Sequence, residues 1–235
     1  QEVAISQDGQ KEAMEHAGRT GGLPFVGVGW YRTEFDVPQF QAGKRATILF
    51  DGAMSHANVY INGQKVGYWP YGYNSFHFDI TKYLKPGEKN TLAVRLENLP
   101  ESSRWYPGAG LYRNVHLIIT EDAYIPVWGT YITTPSVNEK FAKVNVRTKV
   151  VLPEGADPAK YSVETSVWNP NKQKLTAVRT SLAQMKYNNN QAEQEFVIQA
   201  PSLWSPEMPA LYSAETRLYE GDKLKDIYTT PFGIR

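Results

Sequence analysis

No cysteine occurs among the 235 residues, so a disulfide framework, a thiolate nucleophile and a cysteine-ligated zinc site are all excluded. The redox compartment stays open, because a cysteine-free chain is stable in any. Charge of one sign is missing as well: 25 basic and 24 acidic side chains leave a formal net charge of +1. With no run of lysine or arginine to build a local field, neither nucleic acid nor a membrane is an expected partner. No apolar run approaches the roughly 18–20 residues of a membrane span. Gln1 to Gln10 lack the basic and apolar regions of a signal peptide, so the precursor either had no signal or lost it. Helical periodicity is scarce too, and Lys11 to Ala17 is the one stretch with a helical look.

What is present is period-two alternation with turn residues between the runs. Tyr31, Thr33, Phe35 and Val37 alternate with Arg32, Glu34 and Asp36, which predicts a strand with one buried face that Pro38 ends. Ala46 to Phe50 is a short apolar run. Ala57, Val59 and Ile61 lead into Asn62-Gly63, a dipeptide that tolerates the positive φ angles of a type I′ turn, so this run and Gln64 to Tyr68 read as a hairpin. Further buried phases are Phe76, Phe78 and Ile80; Leu92, Val94 and Leu96; and Val115, Leu117 and Ile119. Six or more such strands argue for an antiparallel sandwich.

The pattern breaks around Pro126 and a second set begins: Val144 to Val150, Tyr161 to Val167, Phe196 and Ile198, and Tyr212 to Leu218. Its turn spacing fits an immunoglobulin-like sandwich of about 100 residues. At about 150 residues per domain the length allows one large β domain or two smaller ones. The boundary is placed between Glu121 and Ile125, giving domains 1–122 and 123–235.

Most tests for chemistry fail. His16, His56, His77 and His116 are scattered, without the i, i+4 pairing of a zinc helix. Ser55-His56 lacks the elbow motif of a serine hydrolase, and Gly108-Ala109-Gly110 lacks the strand and helix of a phosphate loop. Asp51, Asp79, Glu97 and Glu101 are candidates by type alone for the paired carboxylates of glycoside hydrolysis. Their bland reading is strand-edge or turn carboxylates that bind backbone amides. No cofactor, metal or catalytic residue is assigned.

The stretch with most character, Glu97 to Arg113, joins two strands through a loop that gathers Arg104, Trp105 and Tyr106 beside glycines and prolines. A guanidinium fork can grip hydroxyls or a carboxylate, and an aromatic face can lie against a sugar ring. In the alternative, the aromatics cap the end of the core and Arg104 pairs with Glu101.

Gly29-Trp30-Tyr31-Arg32, Phe50-Asp51-Gly52-Ala53, Tyr60-Ile61-Asn62-Gly63, Gly72-Tyr73-Asn74-Ser75-Phe76, Phe78-Asp79-Ile80-Thr81 and the Ser103 to Arg113 loop together resemble the N-terminal sugar-binding domain of glycoside hydrolase family 2. The second half resembles the immunoglobulin-like domain that follows there, through Leu203 to Tyr212 and the closing Phe232-Gly233-Ile234-Arg235. The likeness runs from about Gly21 to Arg235 and is nearest the β-galactosidase branch. It implies an all-β chain: a jelly-roll-like (galactose-binding-like) sandwich, then the immunoglobulin-like sandwich.

Family members continue into a TIM barrel that carries two catalytic glutamates, whereas this chain stops at Arg235. A barrel needs about 250 residues of alternating strand and helix. The family's front segment with its tryptophan-ended strand is also missing before Gln1. The resemblance therefore implies the non-catalytic N-terminal portion of a retaining exo-glycosidase acting on terminal β-galactosyl residues. Arg104 is then the first choice for reaching substrate, Trp105 and Tyr106 shape the wall, and Glu101 comes fourth. Packing on the missing barrel, self-association into a homo-oligomer through faces left open, and a periplasmic or secreted location are the further expectations. A free-standing carbohydrate-binding module and a cell-surface sandwich scaffold are the alternatives.

Overall fold

The computed structural model describes residues 27–39, 43–99, 109–183 and 191–235. The chain divides into two compact units, Gln1–Ile119 and Thr120–Arg235. The stretch Lys11 to Ala17 and His16 lie outside the described residues.

In the first unit, β1 (Gly27–Asp36), β6 (Lys89–Asn98), β3 (Ala57–Ile61) and β4 (Gln64–Trp69) form an antiparallel sheet in that spatial order. Strands β5 (Phe76–Asp79), β2 (Arg45–Phe50) and β7 (Val115–Thr120) form a second sheet. The alternation read from the sequence sets the core: Ile48 and Phe50, Val59 and Ile61, Phe76, and Leu92, Val94 and Leu96 are buried together. The β3–β4 hairpin turns on Asn62 and Gly63 with φ of 50° and 80°, the geometry that dipeptide favours. The Asn62 amide then binds the Tyr83 carbonyl at 2.9 Å and the Asn90 side chain at 2.8 Å, which fixes the turn against β6.

Two expectations for this unit are corrected. Tyr31 is 41% exposed and Thr33 is exposed, and Val115 and Leu117 are likewise exposed. Strands β1 and β7 are sheet edges, each open on one side. Phe35 and Val37, farther along, do reach the core.

In the second unit, β11 (Lys174–Ser181), β10 (Tyr161–Trp168), β13 (Tyr212–Glu220) and β14 (Lys223–Phe232) form one sheet. Strands β12 (Gln191–Gln199), β9 (Phe141–Lys149) and β8 (Thr130–Val137) form the other. All pairs are antiparallel, and every residue of the predicted buried phases of β9, β10, β12 and β13 is buried. Both sandwiches are as the sequence implied. Among the described residues the helical segments are two three-residue 3-10 turns, Thr81–Tyr83 and Pro158–Lys160.

One ion cluster in this unit carries a pH signature. Lys225 of β14 has a side chain only 7% exposed, and its Nζ lies 2.9 Å from Asp122 and 3.6 Å from Glu220. Tyr161 donates to Glu220 at 3.3 Å. The hydrogen bond from Lys225 holds the Asp122 carboxyl below its ordinary range, and Asp122 in turn raises Lys225. The Asp122 contribution is present above the unfolded aspartate value and fades as pH falls through the lowered folded one. The Lys225 contribution is present below the unfolded lysine value and fades as pH rises through the raised one. Between about pH 5 and 9 the pair contributes a constant amount. Burial pushes Asp226 up, which gives the opposite acid slope, so the mutant must be compared with the parent chain at each pH. Lys225→Met, which keeps the alkyl packing, should cost about 1–2 kcal/mol near neutrality, because the two carboxylates keep water on one side. That deficit should shrink toward pH 2. Urea midpoints of the second unit against pH read it, and a deficit unchanged at acid pH would refute the assignment.

Candidate functional site

At one end of the first sandwich three connections meet. The β2–β3 connection brings Asp51 to His56, the β4–β5 connection brings Pro70 to Ser75, and Gly110 to Arg113 lead into β7. Backbone bonds tie them together. Met54 and Gly110 exchange both N–H···O bonds at 3.0 and 2.9 Å, His56 donates to Pro70 at 3.1 Å, Glu97 donates to Ser55 at 2.9 Å and Asp51 donates to Asn114 at 3.0 Å. The Tyr112 hydroxyl donates to the Gly72 carbonyl at 2.7 Å. That seat requires glycine at position 52, where a Cβ would lie 2.6 Å from the Tyr112 hydroxyl oxygen and 2.7 Å from Cζ.

Leu99 and Ala109 are the described residues nearest each end of the sequence-predicted loop. Because Glu97 bonds to Ser55 and Gly110 to Met54, the chain leaves and re-enters at this cluster. Glu101, Arg104, Trp105 and Tyr106 themselves lie outside the described residues.

The described part of the cluster is aromatic and polar. Tyr71, Tyr73 and Tyr112 are exposed, with the first two rings edge to face at 5.6 Å. The Ser55 hydroxyl donates to the Glu97 carbonyl at 2.8 Å and lies 3.0 Å from His56 Nδ1. Ser55 therefore spends its proton on backbone and is not poised as a nucleophile. The Glu97 carboxylate is held by Arg95, whose hydrogen bond and charge depress its pKa. Asp51 Oδ2 lies 2.9 Å from His116 Nε2. Asp79 accepts from the Thr81 N–H at 2.8 Å, the turn role foreseen for it. Asp51, Asp79 and Glu97 thus each hold a different partner, and the sequence offered no sign of the two pairs. The exposed tyrosines did leave a trace, a Tyr-Gly-Tyr run in a turn between two strands. Among the described residues no group of three or more histidine and carboxylate side chains is gathered as metal ligands. The arrangement can bind and shape; it presents stacking rings, hydroxyls and fixed carboxylates at one end of a rigid sandwich.

Residues 24–121 match the model of the glycosyl hydrolases family 2 sugar binding domain, and residues 124–235 match that of glycosyl hydrolases family 2. The chain is 40% identical over 226 residues to the beta-galactosidase BoGH2A of Bacteroides ovatus, covering 95% of this chain and 26% of that protein. It is 32% identical over 222 residues to a beta-glucuronidase of Bacteroides fragilis, covering 89% of this chain and 31% of that protein. The crystal structure of a family 2 member from Bacteroides cellulosilyticus superposes with a TM-score of 0.79 at 33% identity, over 89% of this chain and 27% of the other. The chain thus spans about a quarter to a third of the length of these relatives. With both sandwiches matched in order and along nearly their whole length, the chain belongs to glycoside hydrolase family 2.

Proposed function

We propose that this chain is the non-catalytic N-terminal part of a retaining exo-glycosidase that removes terminal β-galactosyl residues, and that the loop end of its first sandwich shapes the sugar pocket. The observation that carries this reading is the convergence of the β2–β3 and β4–β5 connections and the two ends of the Arg104 loop on one cluster of exposed tyrosines. In it Arg104 reaches the substrate hydroxyls, Trp105 and Tyr106 shape the wall, and Glu101 is the fourth choice for a substrate contact. The two carboxyl groups of a double displacement, about 5 Å apart, belong to a barrel beyond Arg235. The galactose reading leans on the beta-galactosidase at 40% identity, with a putative beta-glucuronidase of Formosa agariphila at 38% as the competing specificity that the test below separates.

The test begins by reading the coding sequence past Arg235 and expressing its whole product. That protein should hydrolyse a nitrophenyl β-galactoside far faster than the matching β-glucuronide, while the 235-residue chain alone should turn over neither at any pH. Arg104→Ala in the whole product should lower kcat/KM by about a hundredfold, the scale of losing one charged contact in the transition state. A stop codon at Arg235, turnover by the short chain that survives repurification, or a preference for the glucuronide would each overturn part of the assignment.

A further inference from the structure

The outer face of the β1–β6–β3–β4 sheet carries features that the loop end does not use. With Val59, Ile61, Leu92, Val94 and Leu96 turned into the core, the alternate residues of these strands face outward. The register sets them in rows. Trp30 pairs with Arg95, Arg95 with Asn58, and Asn58 with Tyr68. In the next row Arg32 pairs with Ala93, Ala93 with Tyr60, and Tyr60 with Lys65.

The solvated face of an antiparallel sheet is ordinarily polar. Here Trp30 is 60% exposed and Tyr68 46% exposed. The Trp30 and Tyr60 rings stand 5.6 Å apart at 36°. Beside them Trp30, Arg32, Ala93 and Thr91 line a shallow concavity of about 550 Å³, with Lys85 at its rim. Ala93 supplies the low floor, since any longer side chain at the centre of that row would fill it. Four strands about 4.8 Å apart make the row from Trp30 to Tyr68 about 14 Å long, room for a chain of sugar rings rather than one.

Charge selects the kind of sugar. Of the acidic groups in the outward phase of these strands, Glu34 faces Lys89 at 3.9 Å and Glu97 is held by Arg95, while Asp36, at the far end of β1, makes no ion pair with a described residue. Neither Arg32 nor Lys65 makes an ion pair with a described residue, and Lys65 lies 6.0 Å from the Tyr68 ring centroid. An aromatic plane takes the C–H face of a pyranose ring, and a free guanidinium fork takes a carboxylate. We propose that this sheet face binds a chain of acidic sugars, with Trp30 and Tyr60 as stacking plates and Arg32 and Lys65 as partners for its carboxylates. A nucleic acid strand would also stack on such rings, but the near-zero net charge and the few unmatched cations give phosphate contacts little to work with. The inference rests on the first sandwich alone and does not require the proposed galactosidase activity, so either can fail without the other.

The 235-residue chain titrated at low salt with an α-1,4-linked hexagalacturonate should show saturable binding that weakens as salt is raised. Trp30→Ala should weaken it about tenfold with an unchanged circular dichroism spectrum, and Arg32→Gln should weaken it and flatten the salt dependence. Arg32 is exposed, so that variant reports even if the tryptophan variant misfolds. The fully methyl-esterified hexagalacturonate, the same chain with its carboxylates neutralised, should bind far less. Absence of saturation, affinity unchanged in both variants, or equal binding of the methyl-esterified hexagalacturonate or of a single-stranded hexanucleotide would each overturn the proposal.

Discussion

Replacing Phe50 by alanine should strip the first sandwich of most of its stability. Phe50 ends β2 fully buried and stacks on Phe76 at 4.8 Å and 10°. Phe76 in turn stacks on Trp69 at 5.6 Å and meets the edge of Phe78 at 5.7 Å. The rings of β2, β5 and β4 therefore form one continuous pile between the sheets, and Phe50 is the member with no solvent on any side. Truncation removes its transfer free energy and leaves a cavity that a pile of planar rings closes poorly, for a cost of about 3–5 kcal/mol. A domain of this size has about 5–15 kcal/mol in all. Hydrogen exchange read by mass spectrometry resolves the two units. Amides of β3 and β6 should lose protection by about a hundredfold to a few thousandfold, with amides of β9 and β10 in the second unit as the internal reference. Protection in β3 and β6 within threefold of the parent chain would show that the ring pile does not carry the core.

That core was legible because its strands are central. Strands β3, β6, β9, β10 and β13 each have neighbours on both sides, so burial falls on every second residue and the alternation survives in the sequence. Strands β8, β11 and β14, which are sheet edges, left no readable pattern. Residues such as Tyr131, Leu175 and Ile227 are exposed there, whereas β12, also a sheet edge, alternates buried and exposed residues and shows its phase in the sequence. Strand β1 erred the other way: its pattern was clean, yet its edge position leaves Tyr31 and Thr33 in water.

For the candidate site the limit is different. Asp51 and His116 stand 65 residues apart in the chain and 2.9 Å apart in space. Glu97, Ser55 and Gly110 meet through backbone bonds that no side-chain motif encodes. The loop carrying Glu101, Arg104, Trp105 and Tyr106 was found by its composition. Tyr71 and Tyr73 belong to the β4–β5 connection and only folding brings them to it, whereas Tyr112 stands at the C-terminal end of the same stretch.

Gly67→Leu should be nearly as damaging as the loss of Phe50, by the opposite route of overfilling. Gly67 lies in β4 opposite Val59, on the face turned toward the second sheet. A Cβ there would stand 2.6 Å from both Cδ1 and Cζ of Phe78. Glycine inside a strand ordinarily weakens it, and here the missing side chain is the hole that Phe78 of β5 fills from the facing sheet. A leucine must evict that ring, which packs against the core, for about 3 kcal/mol. If the hole is the cause, Phe78→Ala in the same chain should recover part of the loss. The two substitutions should then be less than additive by about 1–3 kcal/mol, against near-additivity for unconnected sites. Additive losses in urea unfolding would mean that the backbone of β4, rather than the space above it, requires glycine. The substitution also reaches the outer face, because Tyr68 follows Gly67 and points the other way. A β4 displaced by the leucine should weaken hexagalacturonate binding, and the Phe78→Ala rescue should restore binding in step with stability.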